Sequence, residues 1–126
     1  MKGKIPGNQI SISENNGIKV IWDIDFIISE MNGAKTKVLS VDKLYKEENR
    51  VNKSYAMQAD LRVPIIVAKL NDEKYETIDG NHRLYKAMMT KRKEIEAYCI
   101  ESDDLPKYIM GDEEMIKKYL GLEKED

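Results

Sequence analysis

The chain has 126 residues, of which 41% are hydrophobic and 35% are charged, and its formal net charge is -2. This size and composition predict one globular domain with a single core and a mixed-sign surface. The nearly balanced charge argues against nucleic acid as the main partner, and the lone Cys99 excludes an intramolecular disulfide.

The first third of the sequence is predicted to be β-rich. Its N-terminus, MKGKIPGNQISIS, lacks the apolar core of a signal peptide, and no apolar run approaches the roughly 20 residues that cross a bilayer. We therefore expect a cytoplasmic protein with no membrane partner. Apolar residues alternate over residues 18–28, which predicts a half-buried strand, and the preceding turn residues predict a hairpin with NQISIS. After the turn MNGAKT, residues 37–41 predict a further strand.

The middle of the chain is predicted to hold a hairpin followed by a helix. A charged loop leads into a short helix at residues 55–61. Pro64 opens the β-branched run PIIVAKL, which predicts a buried strand, and YETID returns after the turn NDEK. Apolar spacing after Gly80 predicts a helix to about Lys91. The segment IEAYCI predicts a last strand, and one or two short helices follow it.

The stretch IDGNHR, where the predicted return strand ends, gathers the candidate functional residues. A strand ending at Asp79, a permissive Gly80 and a helix beginning near Asn81 would present backbone N–H groups to an anion. Arg83 adds a planar donor fork, and His82 adds a donor or a titratable group. The pattern indicates a phosphate site. The alternative is a simple turn in which Asn81 caps the helix.

The segment from RVPIIVAKL through IDGNHRLYKAMM to IEAYCI resembles the core of the ParB/sulfiredoxin superfamily. In that superfamily a P-I-x-V strand, a hairpin return and a D-G-x-H-R or G-x-R-R turn and helix build a nucleotide site. The resemblance covers residues 38–110 and implies an α+β fold with a mixed sheet flanked by helices. We expect a single domain over residues 1–126, with a β-rich extension at 1–35 and a C-terminal helix and tail at 111–126.

Within the superfamily, the D-G-x-H-R pattern is most similar to the branch of the free-serine kinases. Sulfiredoxins carry their catalytic cysteine at the position of Asn81, so their chemistry is rejected here. Classical partition ParB proteins carry a second arginine in place of His82 and a DNA-binding helix-turn-helix, for which this chain is too short. The resemblance implies a kinase or NTPase that uses ATP or another nucleotide with Mg²⁺ and transfers a phosphoryl group to a small hydroxyl compound.

The resemblance also assigns residues to this site. The residues that would contact the nucleotide are Gly80, Asn81, His82, Arg83, Ser54 and Thr77. The catalytic residues would be Glu48, Asp79 and His82. Among these, Glu48 would accept the proton of the substrate hydroxyl, and Asp79 would bind the metal. The alternative for Ser54 and Thr77 is that they are ordinary polar residues of a loop and a strand.

Two other functions stay open beside the nucleotide site. Acids and lysines alternate in GDEEMIKKYLGLEKED, which is typical of a solvated helix face. An acidic surface also suits a basic protein partner, so the chain could be a non-catalytic binding module such as an immunity or antitoxin-like protein. The third alternative is a nuclease-like accessory protein that acts on DNA.

Overall fold

The computed structural model describes residues 9–46 and 51–122. The chain divides into two compact units, the first formed by Met1–Gly33 with Asp103–Asp126 and the second by Ala34–Ser102. The described strands are β1 (Ile10–Asn15), β2 (Ile18–Asp23), β3 (Lys37–Ser40), β4 (Ile65–Asn71), β5 (Lys74–Asp79), β6 (Glu94–Ile100) and β7 (Ile109–Met110). The described helices are α1 (Ile24–Met31), α2 (Val41–Leu44), α3 (Lys53–Ala56), α4 (Asn81–Met89), α5 (Leu105–Tyr108) and α6 (Glu113–Leu120).

The first unit is built on a three-stranded antiparallel sheet in the order β1-β2-β7. The predicted hairpin is confirmed, and its turn contains Asn16 and Gly17, both with positive φ. Such a pair matches the backbone twist of a tight hairpin turn. Helix α6 packs on this sheet through Tyr119, whose ring meets the Trp22 ring edge to face at a centroid distance of 6.1 Å.

The prediction of one strand over residues 18–28 is wrong beyond Asp23. The Asp23 carboxylate accepts a hydrogen bond from the Phe26 backbone N–H at 3.1 Å, which caps α1 and ends the strand. Ile24 and Ile27 are both buried, and their spacing of three residues puts them on one face of the helix. The alternating pattern continues past Asp23 in the sequence, but burial there follows the helical period.

The second unit is built on a four-stranded sheet in the order β3-β6-β4-β5. Strands β4 and β6 run parallel, whereas the other two pairings are antiparallel, so the predicted α+β class with a mixed sheet is confirmed. The predicted β4–β5 hairpin and the strand over IEAYCI are confirmed as well. A core packs α2 and α4 against this sheet; its buried members are Val41, Leu44, Ile65, Val67, Leu84, Ala87, Ile95 and Ala97.

Helix boundaries differ by a few residues from the predictions. Helix α4 ends at Met89 rather than about Lys91, because Lys91 has a positive φ of 63°. The helix predicted at residues 55–61 is the shorter α3, which begins earlier because the Asn52 side chain caps it by accepting from the Tyr55 N–H at 2.9 Å. The predicted C-terminal helices are confirmed as α5 and α6. Among the described helices, none has the length and apolar character that crossing a membrane requires.

Candidate functional site

A cavity of about 380 Å³ opens in the second unit at the first turn of α4. One part of its wall comes from the end of β5 and the start of α4, which contribute Asp79, Gly80, His82 and Arg83. The rest comes from α3 and the loop that follows it, and consists of Tyr55, Gln58, Ala59, Asp60 and Val63. The strand-turn-helix predicted from IDGNHR is therefore present, and it borders a cavity.

Gly80 occupies a position at which the structure has no room for a side chain. Its φ of 106° lies in the left-handed region, and a Cβ atom there would stand 2.7 Å from the Ile65 Cβ. Gly80 is the N-cap of α4 and supplies no side-chain cap, while its carbonyl oxygen accepts from the Leu84 N–H at 2.8 Å. The cavity therefore meets the positive end of α4 at a place where no cap side chain intervenes.

His82 stands on the cavity wall between α4 and the segment that leads into α3. The Asn52 backbone N–H donates to its Nε2 at 3.4 Å, and its ring meets the Tyr55 ring edge to face with centroids 5.1 Å apart. The contact with Asn52 engages Nε2, and Nδ1 is the other ring nitrogen that can form a hydrogen bond. His82 thus joins the two parts of the wall.

The Arg83 guanidinium donates hydrogen bonds to three protein oxygens. Its Nη1 donates to the backbone carbonyl oxygens of Val63 at 3.0 Å and Pro64 at 2.8 Å. Its Nη2 donates to Asp79 Oδ2 at 3.2 Å, an ion pair in which the Arg83 side chain is 16% exposed. The guanidinium therefore ties the entry of β4 to the end of β5 and to α4. Its predicted phosphate contact stays a prediction.

The sequence analysis missed an acidic group on the same wall. The Asp60 carboxylate accepts from Arg62 Nε at 3.0 Å and from Arg62 Nη2 at 3.1 Å, and it also accepts from the Arg62 backbone N–H. These hydrogen bonds lower the pKa of Asp60 to about 2, so the carboxylate stays negative even in mildly acidic solution. The spacing D-x-R was the available signal, since an aspartate often bonds the backbone two residues later.

The other predicted site residues lie in different places. Asn81 is the first residue of α4, next to the cavity wall. Ser54 is exposed on α3, and Thr77 is buried in β5; neither lines the cavity. The Thr77 Oγ1 atom has no hydrogen-bond partner among the described residues. Glu48, the predicted base, lies outside the described residues.

Asp79 is the residue that the sequence analysis predicted to bind a metal ion. Within residues 9–46 and 51–122, no group of three or more histidine, cysteine, aspartate or glutamate side chains comes together as a ligand cluster. Mg²⁺ characteristically uses one or two carboxylates together with waters and substrate phosphates. A single carboxylate such as Asp79 fits that mode, in which a bound nucleotide would provide the other oxygen ligands.

The sequence comparisons agree with the resemblance at the level of the domain. A family model described as the ParB N-terminal domain matches residues 30–114. No curated protein matches the sequence. The matched range contains the whole second unit and its cavity, whereas β1 and β2 precede it.

Proposed function

The chain belongs to the ParB N-terminal domain family, and from this premise we propose that its second unit binds a nucleotide, with the phosphates at the first turn of α4. The observation that carries the proposal is Gly80, a helix N-cap without a side chain that borders the cavity. The N-terminus of a helix favours anions through its backbone N–H groups and its dipole. His82 adds an imidazole side chain on the same wall, a group that can donate to a phosphate oxygen.

The rest of the cavity favours a nucleotide over a small inorganic anion. Its volume of about 380 Å³ exceeds the space that one phosphate group needs. Tyr55 and Val63 on its wall are 63% and 48% exposed, which leaves apolar surface for an organic group. An exposed tyrosine ring is a suitable stacking surface for a base.

Isothermal titration calorimetry with ATP, ADP, CTP and GTP, each with Mg²⁺, tests this proposal. We expect binding of at least one nucleotide, weakened roughly tenfold or more in His82→Ala, since a hydrogen bond to a charged group contributes about 1.5–3 kcal/mol. Met89→Ala is the matched control, because Met89 is exposed at the opposite end of α4, outside the cavity, and this variant should bind as the wild type does. A folded wild type that binds none of the four would contradict the proposal and favour the protein-binding alternative.

The proposal extends to phosphoryl transfer as a second, separable step. Asp79 places a carboxylate on the cavity wall beside the proposed phosphate position. The role of Glu48 as the base rests on the resemblance alone. Transfer of this kind depends mainly on positioning and on charge stabilisation, so a small site is sufficient for it.

A Mg²⁺-dependent assay of ADP formation from ATP, with and without free serine or another small hydroxyl compound, tests this step. We expect Asp79→Asn and Glu48→Gln to lose turnover while each retains nucleotide binding by calorimetry. Nucleotide binding without turnover in the wild type would leave the binding proposal standing and remove the transfer step.

A further inference from the structure

The three-stranded sheet of the first unit carries a row of apolar side chains on its outer face. The strand register places Ile12 opposite Ile21, and Ile21 opposite Met110, so one side chain from each strand lies in the row. Ile12 is 61% exposed and Met110 is 44% exposed, while Ile21 is half-buried. A contiguous apolar row of this kind marks an interaction surface more often than single exposed residues do.

The opposite face of the same sheet holds polar side chains in a buried position. Ser13 is buried, accepts from Trp22 Nε1 at 2.6 Å and shares a hydrogen bond with the Tyr119 hydroxyl at 2.8 Å. Because side chains alternate along a strand, this network fixes Ile12 and Ile21 on the outer face. The exposure of the row therefore follows from the packing of α6 on the inner face.

The charges on β2 match each other under a two-fold rotation, and Glu14 of β1 lies opposite Lys19 on the same face. Lys19 and Asp23 lie two residues before and two residues after Ile21, on the same side of the strand. In a dimer of two facing copies, a two-fold axis can run between the copies, parallel to the apolar row. The strands of the two copies then run in opposite directions. Lys19 of each copy then stands over Asp23 of the other, and the apolar residues meet at the centre.

We propose that the outer face of this sheet binds a second copy of the chain in an isologous, face-to-face dimer. The symmetry requires a patch that matches itself under a two-fold rotation, and the sequence Lys19, Ile21, Asp23 has that property. Two sheets that pack face to face bury their facing apolar side chains, here Ile12, Ile21 and Met110, in one layer.

Sedimentation velocity from roughly 1 µM to roughly 1 mM, the range of weak association, tests the dimer. We expect the wild type to dimerise with rising concentration and Met110→Lys to stay monomeric over this range. Met115→Lys is the matched control, because Met115 is a methionine of similar exposure, 39%, on α6, which packs on the inner face. It should dimerise as the wild type does. A wild type that stays monomeric, or equal loss in both variants, would overturn the proposal.

A charge exchange separates this geometry from other modes of association. Lys19→Glu and Asp23→Lys should each weaken the homodimer roughly tenfold or more, because each places like charges opposite one another. An equimolar mixture of the two variants should form a heterodimer, since it restores both opposite pairs. Circular dichroism checks that Asp23→Lys, which removes the cap of α1, remains folded. Failure of the folded variants to associate in the mixture would overturn the two-fold arrangement.

Discussion

Gly80 packs against Ile65 with no space for a β-carbon, because a Cβ at Gly80 would lie 2.7 Å from the Cβ of Ile65. Ile65 is the first residue of β4 and is fully buried, so its side chain has little space into which it could move. The contact fixes the approach of the α4 N-terminus to the sheet. It therefore sets the position of the proposed phosphate site.

Gly80→Ala should lower the free energy of unfolding by about 2–5 kcal/mol, the sum of overpacking and of the cost of a positive φ. Gly17→Ala is the control, because Gly17 also has a positive φ, 76°, but nothing lies within 4 Å of its added Cβ. That change should cost about 1–2 kcal/mol. Urea unfolding of the three proteins measures both values, and equal losses would show that the Ile65 contact contributes nothing.

Arg83→Ala should lower the free energy of unfolding by about 2–4 kcal/mol, because it leaves the Val63 and Pro64 carbonyl oxygens without their donor. Arg83→Lys should recover only part of this, since an ammonium group cannot reproduce the planar fork. Asp79→Ala should cost about 1 kcal/mol or less, because the Asp79 side chain is 33% exposed and the pair is partly screened.

The comparison of these three variants by urea unfolding decides which contacts of Arg83 matter. If Asp79→Ala costs as much as Arg83→Ala, the ion pair outweighs the carbonyl contacts. The same result helps to interpret nucleotide titrations. A loss of binding in Arg83→Ala could come from a damaged cavity wall or from a lost contact with the ligand. His82→Ala is the more direct variant for binding.

Local patterns were sufficient to predict the strand-turn-helix around Gly80. The return strand YETID and the glycine before an apolar helical spacing are short-range signals. Strand β5 ends at Asp79 and α4 begins at Asn81, as predicted, although α4 ends two residues earlier than expected. The partners of Arg83 were not predictable in this way. Val63 and Pro64 lie about 20 residues before it in the sequence, and only the closed β4–β5 hairpin brings them to its guanidinium.

The inner and outer faces of β1 also show that contacts between residues far apart in the sequence cannot be predicted from a local pattern. The hairpin itself was predicted from its turn, but the sequence ISISEN would place its isoleucines in the core if polarity alone decided. The structure buries Ser13 and exposes Ile12, because Tyr119, which lies 106 residues after Ser13, accepts or donates its hydrogen bond there. A contact at that separation leaves no trace in a local pattern.

Arg62→Gln should raise the pKa of Asp60 from about 2 toward its ordinary value of 3.8, because the side-chain hydrogen bonds from Arg62 are the largest cause of the lowering. A lowered pKa in the folded state contributes stability that is present above about pH 4 and is lost as the pH falls toward 2. Carbon-detected NMR titration of the Asp60 carboxyl group measures the change. An unchanged pKa in Arg62→Gln would show that another group holds the carboxylate in its charged form.

Ser13→Ala should lower the free energy of unfolding by about 1–3 kcal/mol, because it removes the oxygen that accepts from the buried Trp22 N–H. Tyr119→Phe should cost less, since Ser13 then still accepts from Trp22. The double variant should cost less than the sum of the two, because both changes remove the same Ser13–Tyr119 hydrogen bond.

Urea unfolding of the wild type, the two single variants and the double variant completes this cycle. Additive losses would mean that the 2.8 Å contact between Ser13 and Tyr119 carries no coupling energy. In that event the hydrogen bond from Trp22 Nε1 to Ser13 would be the contact that anchors the inner face of β1. A coupling of about 0.5 kcal/mol or more would instead tie the position of α6 to the exposure of the apolar row.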